Sequence, residues 1–338
     1  MRHLRRGFLD SLPISRLERA KGIKCVAIYN RSRPKAEAIA EEFGIPAVYD
    51  DAEELLRREK IDFIDNITEI GGHKPLVLLA ATHRVPIICQ KPMASSLADA
   101  REMVAACREA GSLFLVHENW RWQAPIRAVK KILASGVIGT PIRARIDMIS
   151  GFEGWVNQPS LRELDQFILT DLGAHILDVA RFFFGEAASL YCVTKRTLAD
   201  TLRGENVATV VMEMGEAKTT VVCEMAYAKT PLERECFPQT LVFIEGEEGS
   251  LELCQDYWVR LSTRAGTHCV RHTPKRYPWA DPAYDIVHAS IVDCNANLLA
   301  ALRDEAQAET TGDDNYKTMN LVFSSYDSSR AGNVIKFG

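Results

Sequence analysis

Two short stretches of the 338-residue sequence carry side chains whose types and spacing could do acid–base chemistry. In the first, an apolar, strand-like run at residues 86–89 leads through Gln90 into Lys91-Pro92. A lysine at the carboxyl end of a strand would point its ammonium into the crevice where α/β sheets bind ligands, and the proline permits a cis peptide that would aim it. A surface lysine after an edge strand is the alternative.

The second stretch is the helical segment 170–185, TDLGAHILDVARFFFG. Asp171, His175 and Asp178 are spaced so that they share one face of a helix. Because the other positions are mostly apolar, we expect a buried helix, in which polar groups are costly unless they are paired or used. His175 could accept a proton near neutral pH while Asp171 orients it. A self-paired Asp/His in the core and a divalent metal site are alternatives, but no further cluster at ligand spacing favours a metal, and we predict none.

The predicted secondary structure follows one pattern before residue 120 and another after it. Over residues 1–120, short apolar runs alternate with helical patterns, which predicts βαβ units and a parallel sheet with helices on both faces, an α/β domain. After residue 120, strand-like runs follow one another with little helix between them, which favours an α+β domain with a mostly antiparallel sheet. We therefore predict two domains, 1–120 and 121–338, and leave open that the C-terminal helix packs back on the first.

The first domain lacks the usual start of a dinucleotide-binding sheet. Such a sheet opens with a strand and a G-x-G-x-x-G turn, whose glycines let the backbone approach a pyrophosphate. Here Gly7 is the only glycine before Gly22, and no apolar run precedes it. The distance from Gly7 to Asn30 suits a late glycine of that turn, but we expect the first strand and first glycine to be absent. Either the true chain is longer at this end, or the phosphate-binding turn has been lost.

Composition excludes several classes of protein. With 47% hydrophobic and 25% charged residues, the chain is typical of globular proteins and unlike disordered or collagen-like ones. A net charge of −4 offers no broad basic face to nucleic acid, and no apolar run approaches the roughly 18 residues of a membrane span. The nine cysteines are scattered and never form a CxxC pair, which favours core thiols and a reducing cytoplasm over disulfides or zinc.

Several short motifs follow one another along the chain. They are Tyr29-Asn30-Arg31, Thr68 with His73, Cys89-Gln90-Lys91-Pro92, the run from His117 to Trp122, the run from Ser135 to Gly139, Asp171-x-Gly173-x-His175, and Gly312-Asp313-Asp314 leading to Ser324 through Arg330. Together they resemble the Gfo/Idh/MocA family of NAD(P)-dependent oxidoreductases over nearly the whole chain. The resemblance implies a Rossmann-type domain followed by a domain built on an open, mostly antiparallel sheet.

The resemblance further implies hydride transfer between nicotinamide and a secondary hydroxyl or ketone of a sugar, cyclitol or sugar derivative. Lys91, Asp171 and His175 would form the catalytic set. His175 would be the general base, Lys91 would hydrogen-bond the reacting oxygen, and Asp171 would position the sugar and tune His175. The residues that would line the substrate crevice, or else pack a strand-to-helix junction, are Asn119, Arg121 and Trp122.

The same resemblance implies a cofactor site along the carboxyl edge of the first sheet. Its residues would be Gly7, Asn30, Arg31, Ser32, Thr68, His73, Gln90, Lys91 and Pro92. Gln90 stands where the family has Glu, and Glu69 where it often has Pro; both perturb cofactor binding at most. NAD-preferring domains carry Asp or Glu at the end of the second strand. Asn30 followed by Arg31 and Ser32 would instead tolerate a 2′-phosphate, so we predict NADP in preference to NAD, with a simple turn as the alternative.

Two other functions remain open. A family relative without net redox activity, serving as a binding, regulatory or partner subunit, would suit the missing phosphate-binding turn. Metal-dependent hydrolysis through His175 and the aspartates is the other. We also expect a cytoplasmic homo-oligomer without nucleic-acid or membrane partners, because an open sheet leaves one face to be covered. The alternating runs at 207–214 and 219–227 would suit such an interface.

Overall fold

A computed structural model of the protein describes residues 4–9, 22–228 and 239–338. They divide into two compact units, the first made of the described residues up to Glu118 together with Ile291–Met319, and the second of Asn119–Ser290 and Asn320–Gly338. Backbone contacts explain why the later segment joins the first unit, since the Val116 amide donates to the Thr310 carbonyl and the Thr310 hydroxyl donates to the Val116 carbonyl. The predicted domain boundary at residue 120 stays a prediction.

The first unit is built on a six-stranded parallel sheet in the order β3-β2-β1-β4-β5-β6. Its strands are β1 (Leu4–Leu9), β2 (Ile23–Tyr29), β3 (Ala47–Tyr49), β4 (Phe63–Asn66), β5 (Ile87–Gln90) and β6 (Phe114–His117). The strand order reverses between β1 and β4, and sheets of this kind bind ligands at the carboxyl ends of the strands beside that point. The predicted Rossmann-type sheet is confirmed.

Strand β1 corrects one expectation. Leu4–Leu9 pairs in parallel with both β2 and β4, so the expectation that the first strand is absent is wrong. Its sequence, LRRGFL, hides it because two arginines interrupt the apolar run that buried parallel strands usually show. Gly7 lies inside this strand, opposite Ala27 and Ile64, and not in a turn after it. A turn directly after this strand falls within residues 10–21, which lie outside the described residues and contain no glycine.

Helices connect the strands of the first unit. They are α1 (Arg33–Phe43), α2 (Ala52–Arg58), α3 (Ile70–Thr82) and α4 (Leu97–Ala110). Asp51 caps α2 by accepting the amides of Glu53 and Glu54, and left-handed glycines at 44 and 111 end α1 and α4. These local signals explain why helix boundaries could be read from the sequence.

The second unit is built on a nine-stranded sheet in the order β14-β13-β12-β11-β7-β10-β9-β8-β15. Its strands are β7 (Pro141–Ser150), β8 (Ala187–Lys195), β9 (Val207–Met214), β10 (Thr219–Tyr227), β11 (Leu241–Gly246), β12 (Gly249–Leu253), β13 (Trp258–Thr263), β14 (Gly266–Arg271) and β15 (Ile335–Lys336). Neighbouring strands are antiparallel except β7 and β10, which pair in parallel. The predicted mostly antiparallel sheet is confirmed.

Helices follow β6 along the rest of the chain. They are α5 (Ala124–Ala134), α6 (Gly154–Asn157), α7 (Ala174–Phe184), α8 (Asp285–Leu302) and α9 (Gly312–Ala331), with short helical turns at Trp120–Trp122, Pro159–Glu163, Gln255–Tyr257 and Pro282–Tyr284, and a π-helical turn at Leu169–Gly173. Helix α7 packs its apolar side chains, such as Ile176 and Val179, into one core with the inward face of β10. None of the helices in the described ranges is both long and apolar enough to cross a membrane.

Candidate active site

At the carboxyl end of β2, the side chain of Asn30 shapes a turn. It is buried, its Oδ1 accepts the Ser32 amide at 2.8 Å, and its backbone amide donates to the Tyr49 carbonyl at 3.1 Å. Arg31, between the two, is exposed, and Ser32 is half-buried. The turn therefore offers a guanidinium and a hydroxyl at this edge of the sheet, while the carboxamide oxygen of Asn30 is engaged in holding the backbone.

At the end of β4, a polar cluster includes a residue that sequence reasoning missed. Asn66 is buried, and its Oδ1 accepts the Thr68 hydroxyl at 2.8 Å and the Thr68 amide at 3.3 Å. A Cβ on Gly72 would come within 2.5 Å of the Thr68 Oγ1, so only glycine lets the first turn of α3 approach Thr68 this closely. The available signal for Asn66 was a polar residue closing an otherwise largely apolar strand.

His73 joins this cluster to the turn after β5. The ring is 1% exposed, with Nδ1 3.0 Å from the Pro92 carbonyl oxygen and Nε2 2.9 Å from that of Thr68. Burial lowers the pKa of His73, and the backbone carbonyls oppose that shift. Since both nitrogens face backbone oxygens, His73 acts on the predicted cofactor site by holding two of its loops together.

Lys91 is where the sequence placed it, directly after β5. It is half-buried, and the Lys91–Pro92 peptide is cis. Gln90 ends β5 in register with His117 on β6. The first unit thus brings Thr68, His73 and Pro92 into contact, with Lys91 adjoining them in the chain.

In the second unit, Asp171 sits in the π-helical turn that precedes α7. This turn differs from the continuous helix predicted over 170–185, and π-turns of this kind are frequent at functional sites. The Tyr227 hydroxyl donates to Asp171 Oδ2 at 2.8 Å. Burial, followed by the charge of Asp171, raises the pKa of Tyr227 well above its ordinary value, so the phenol stays a donor. Phe167 stacks on the Tyr227 ring at 5.6 Å and helps to fix it.

One turn further on, His175 is covered by an aromatic ring. It is 4% exposed, and the ring of Trp120 stacks on it with centroids 4.3 Å apart and planes 25° apart. The Trp120 Nε1 donates to the Thr240 hydroxyl at 2.8 Å. Tyr227, Trp120 and Thr240 were all missed as site residues, although Trp120 lies inside one of the motifs of the family resemblance.

Arg121 and Asp178 form a buried ion pair. The guanidinium meets the carboxylate through two bonds, Nε to Oδ2 at 2.7 Å and Nη2 to Oδ1 at 2.6 Å, and Asp178 has no exposed surface. Arg181 lies 3.9 Å from the same carboxylate and also bonds Glu186. The polar positions expected on the buried helix face are thus paired, Asp178 with arginine and Asp171 with tyrosine.

The other two predicted crevice residues also have specific contacts. Asn119 is buried, and its Nδ2 donates to the Ser290 hydroxyl at 2.7 Å. Trp122 is half-buried, with the Arg127 guanidinium 4.3 Å above its ring. These contacts match the packed junction that the sequence left open as the alternative to a substrate crevice; substrate contact at Asn119, Arg121 and Trp122 stays a prediction.

Lys91 belongs to the first unit, and Asp171 and His175 belong to the second. Their action as one catalytic set stays a prediction. Within residues 4–9, 22–228 and 239–338, no group of three or more His, Cys, Asp or Glu side chains is placed to hold a metal ion.

Comparison with known protein families shows to which family the chain belongs. Residues 7–118 match the model of an oxidoreductase family with an NAD-binding Rossmann fold, GFO/IDH/MocA, and residues 126–252 match the GFO/IDH/MocA C-terminal domain. This chain belongs to the GFO/IDH/MocA oxidoreductase family. The resemblance read from the motifs is confirmed, and with it the assignment of the protein as an oxidoreductase.

Within the GFO/IDH/MocA family, two curated relatives match along most of their length. A D-apiose dehydrogenase of Paraburkholderia graminis is 41% identical over 317 residues, covering 93% of this chain and 83% of the relative. A D-apiose dehydrogenase of Rhizobium rhizogenes is 38% identical, covering 94% and 91%. Among solved structures, an oxidoreductase from Agrobacterium radiobacter in complex with NAD+, L-tartaric acid and magnesium superposes with a TM-score of 0.94 at 35% identity, covering 99% of this chain and 98% of that one.

The described residues fit the dinucleotide that the GFO/IDH/MocA family implies. The six-stranded sheet has the strand order of dinucleotide-binding domains, with the crevice at its carboxyl edge. Asn30, Arg31 and Ser32 would hold the adenosine ribose there, and Thr68, Gln90, Lys91 and Pro92 the nicotinamide half.

Proposed function

We propose that this protein is a dehydrogenase that oxidises a secondary hydroxyl of a small sugar or polyol, or reduces the matching ketone, with a nicotinamide cofactor. The observation that carries the proposal is the near full-length identity of 41% to a D-apiose dehydrogenase. D-Apiose is accordingly the first substrate to test, and other sugars, cyclitols and sugar derivatives follow from the family resemblance.

Each of the three proposed catalytic residues has a separate task. His175 removes the hydroxyl proton as general base, and Lys91 donates a hydrogen bond to the same oxygen as its negative charge develops. Asp171, whose Oδ2 accepts the Tyr227 hydrogen bond, positions the substrate hydroxyls. A bound nicotinamide would supply the hydride acceptor, so that the substrate, losing one hydride and one proton, would become a carbonyl compound.

For the cofactor, we propose NADP in preference to NAD. The exposed Arg31 and the engaged Asn30 oxygen support this choice, because the turn after β2 presents a cation and no carboxylate to the ribose. The Agrobacterium radiobacter relative holds NAD+, so both cofactors belong in the test. Titration of the purified protein with NADH and NADPH, followed by nicotinamide fluorescence, gives the two affinities directly, and a tighter NADH complex would refute the preference.

Turnover of D-apiose, followed by NAD(P)H absorbance, tests the catalytic assignment. His175→Asn and Lys91→Met should each reduce kcat/KM by about a hundred- to ten-thousandfold while cofactor affinity stays close to that of the wild type. The exposed residues His268 and Lys35 offer matched controls, His268→Asn and Lys35→Met, which should leave kcat/KM unchanged. Full activity in His175→Asn would refute the assignment. Failure of the wild type to bind either nicotinamide would favour a redox-silent relative.

We also propose a cytoplasmic homo-oligomer assembled through the outer face of the nine-stranded sheet. That face presents exposed apolar side chains from the adjacent strands β8 and β9, namely Tyr191, Val193 and Val211. Every cysteine in the described ranges is a free thiol, as in a reducing compartment. Light scattering of the wild type at micromolar concentration should give a multiple of the chain mass, and Val193→Asp with Val211→Asp should lower it. A monomeric wild type would contradict the proposal.

A further inference from the structure

We propose that Trp120 is a positioning residue for His175. In this proposal its indole fixes the direction of the imidazole ring and stabilises the positive charge that the ring gains when it accepts a proton. The catalytic meaning rests on the proposed function of His175. The physical claim about the imidazole can be tested without any substrate.

The geometry of the pair supports this role. The two ring centroids are 4.3 Å apart with planes 25° apart, and both rings are buried. A stacked indole covers the face of an imidazole, whereas the two nitrogens lie at the edge of the ring. The contact therefore fixes where the nitrogens point by covering the flat side of the ring.

The indole is itself anchored. Its Nε1 donates to Thr240 at 2.8 Å, and the Thr240 side chain is buried directly before β11. The Gln123 amide donates to the Trp120 carbonyl at 3.1 Å and closes the turn. Rotation of the indole would leave a buried N–H without an acceptor, which is costly. A stack on an anchored ring holds its orientation better than a stack on a free one.

The residue after Trp120 contacts the same helix a second time. Arg121 bonds Asp178 through two hydrogen bonds, and Asp178 lies one helical turn beyond His175. The short turn Trp120–Trp122 therefore contacts α7 at two successive turns. This double contact fixes the register of the indole over the imidazole.

Several charged and titratable groups surround the helix that carries His175. The titratable and charged side chains on elements packed against α7 are Asp171, Asp178 and Arg181 on the helix and its π-turn, Arg121 on the Trp120 turn, Arg127, Lys130 and Lys131 on α5, and Cys223 and Tyr227 on β10. Glu205 accepts the amides of Phe167 and Ile168 just before the π-turn, and the Tyr326 hydroxyl accepts the Thr170 amide within it. Arg143 and Arg145, on β7, are exposed. Asp147 and Glu224, on β7 and β10, alternate with inward-facing neighbours and lie on the other face of the sheet. Asp171 and Asp178 each have a specific partner. The π-face of the indole attracts a cation, so it favours the protonated imidazole.

NMR titration of the His175 imidazole tests the physical claim. Its signal is one of eight histidine signals and is identified by its loss in His175→Asn. The His175 imidazole should titrate about half to one pH unit lower in Trp120→Leu than in Trp120→Phe. Both new side chains are smaller than tryptophan, but only phenylalanine keeps a π-face. Comparison of these two variants separates the effect of the π-face from any change in burial. Equal titration of the two variants would overturn the proposal.

Thr240→Val keeps the indole and removes its anchor, which covers the case in which a Trp120 variant does not fold. We expect a smaller ring-current shift of the His175 signal and a loss of about tenfold or more in kcat/KM on D-apiose. An unchanged ring-current shift and unchanged kcat/KM would contradict the anchoring role.

Different results would refute the catalytic role of His175 and the positioning role of Trp120. Full activity in His175→Asn would refute the proposed function and leave the titration of the imidazole as a separate result. An inactive His175→Asn combined with equal titration in Trp120→Leu and Trp120→Phe would refute only the role of Trp120. In the expected case, the acid limb of the kcat/KM profile moves to lower pH in Trp120→Leu by the same amount as the imidazole pKa, because a general base must be deprotonated.

Discussion

Each unit of the protein buries a histidine and holds it in a different way. His73, in the first unit, has its two ring nitrogens against two backbone carbonyl oxygens. His175, in the second, has the face of its ring against Trp120. Carbonyl contacts engage the atoms through which an imidazole exchanges protons, whereas stacking covers the part of the ring that takes no part in that exchange. The two histidines are similarly buried, so the kind of contact shown for each, and not the degree of burial, distinguishes them.

The largest effect we expect comes from breaking the ion pair beside His175. Arg121→Met should lower the free energy of unfolding by about 3–5 kcal/mol, because the buried Asp178 carboxylate would lose its two-bond partner while Arg181 stays 3.9 Å away. Urea unfolding measures the change.

The exposed arginine Arg143 supplies the control, and Arg143→Met should change the free energy of unfolding by less than about 0.5 kcal/mol. The double variant Arg121→Met, Asp178→Leu should recover most of the loss, because it removes both charges. A single Arg121→Met variant as stable as the wild type would show that the pair does not hold the helix.

Making one substitution at both histidines sharpens the comparison directly. His73→Asn should lose about 2–4 kcal/mol of unfolding free energy, because a buried carbonyl loses its imidazole donor and a void remains. His175→Asn should lose less than about 2 kcal/mol but nearly all turnover. Thermal unfolding and kcat/KM, measured on both variants, check the pattern. The reverse pattern would show that the contacts do not reveal the roles.

A smaller effect is expected at Asp171. Tyr227→Phe removes the hydroxyl that donates to the carboxylate, and a hydrogen bond to a charged group is worth about 1.5–3 kcal/mol. We expect kcat/KM to fall by about tenfold or more, with the aromatic stack on Phe167 retained. Tyr191→Phe, at an exposed tyrosine on the outer face of the sheet, is the matched control. Equal kcat/KM in the two variants would exclude a role for the Tyr227 hydroxyl.

The smallest effect is a pH dependence of stability at His73. Burial holds its pKa in the folded state below the ordinary value of 6.5, so the unfolded chain binds the proton first as the pH falls. The stabilisation that the neutral His73 contributes is therefore complete above about pH 6.5. It is lost as the pH drops towards the folded-state pKa, by at most about 1.4 kcal/mol per pH unit. Urea unfolding at a series of pH values, from about 7 to lower pH, measures how the free energy of unfolding changes with pH. His73→Asn should remove it, and an equal slope in that variant would assign the effect to other groups.

Much of the fold could be predicted because its signals are local. The strands Val207–Met214 and Thr219–Tyr227 begin and end where the alternating runs place them. Helix Leu97–Ala110 likewise has local signals at both ends, a serine cap and a terminal glycine. Strand β1 has no such signal, since its arginines disguise it and its place comes from backbone pairing with two neighbours.

The sequence by itself determined the kinds of chemistry present: a lysine after a strand, and an aspartate and a histidine one turn apart near the start of a helix. Only the tertiary structure decided what holds them. Tyr227 lies 56 residues from the Asp171 it contacts, and Arg121 lies 57 residues from Asp178. Residue types and spacing show that a buried polar group needs a partner, but the partner is selected by how sheet and helix pack, which depends on the whole chain at once.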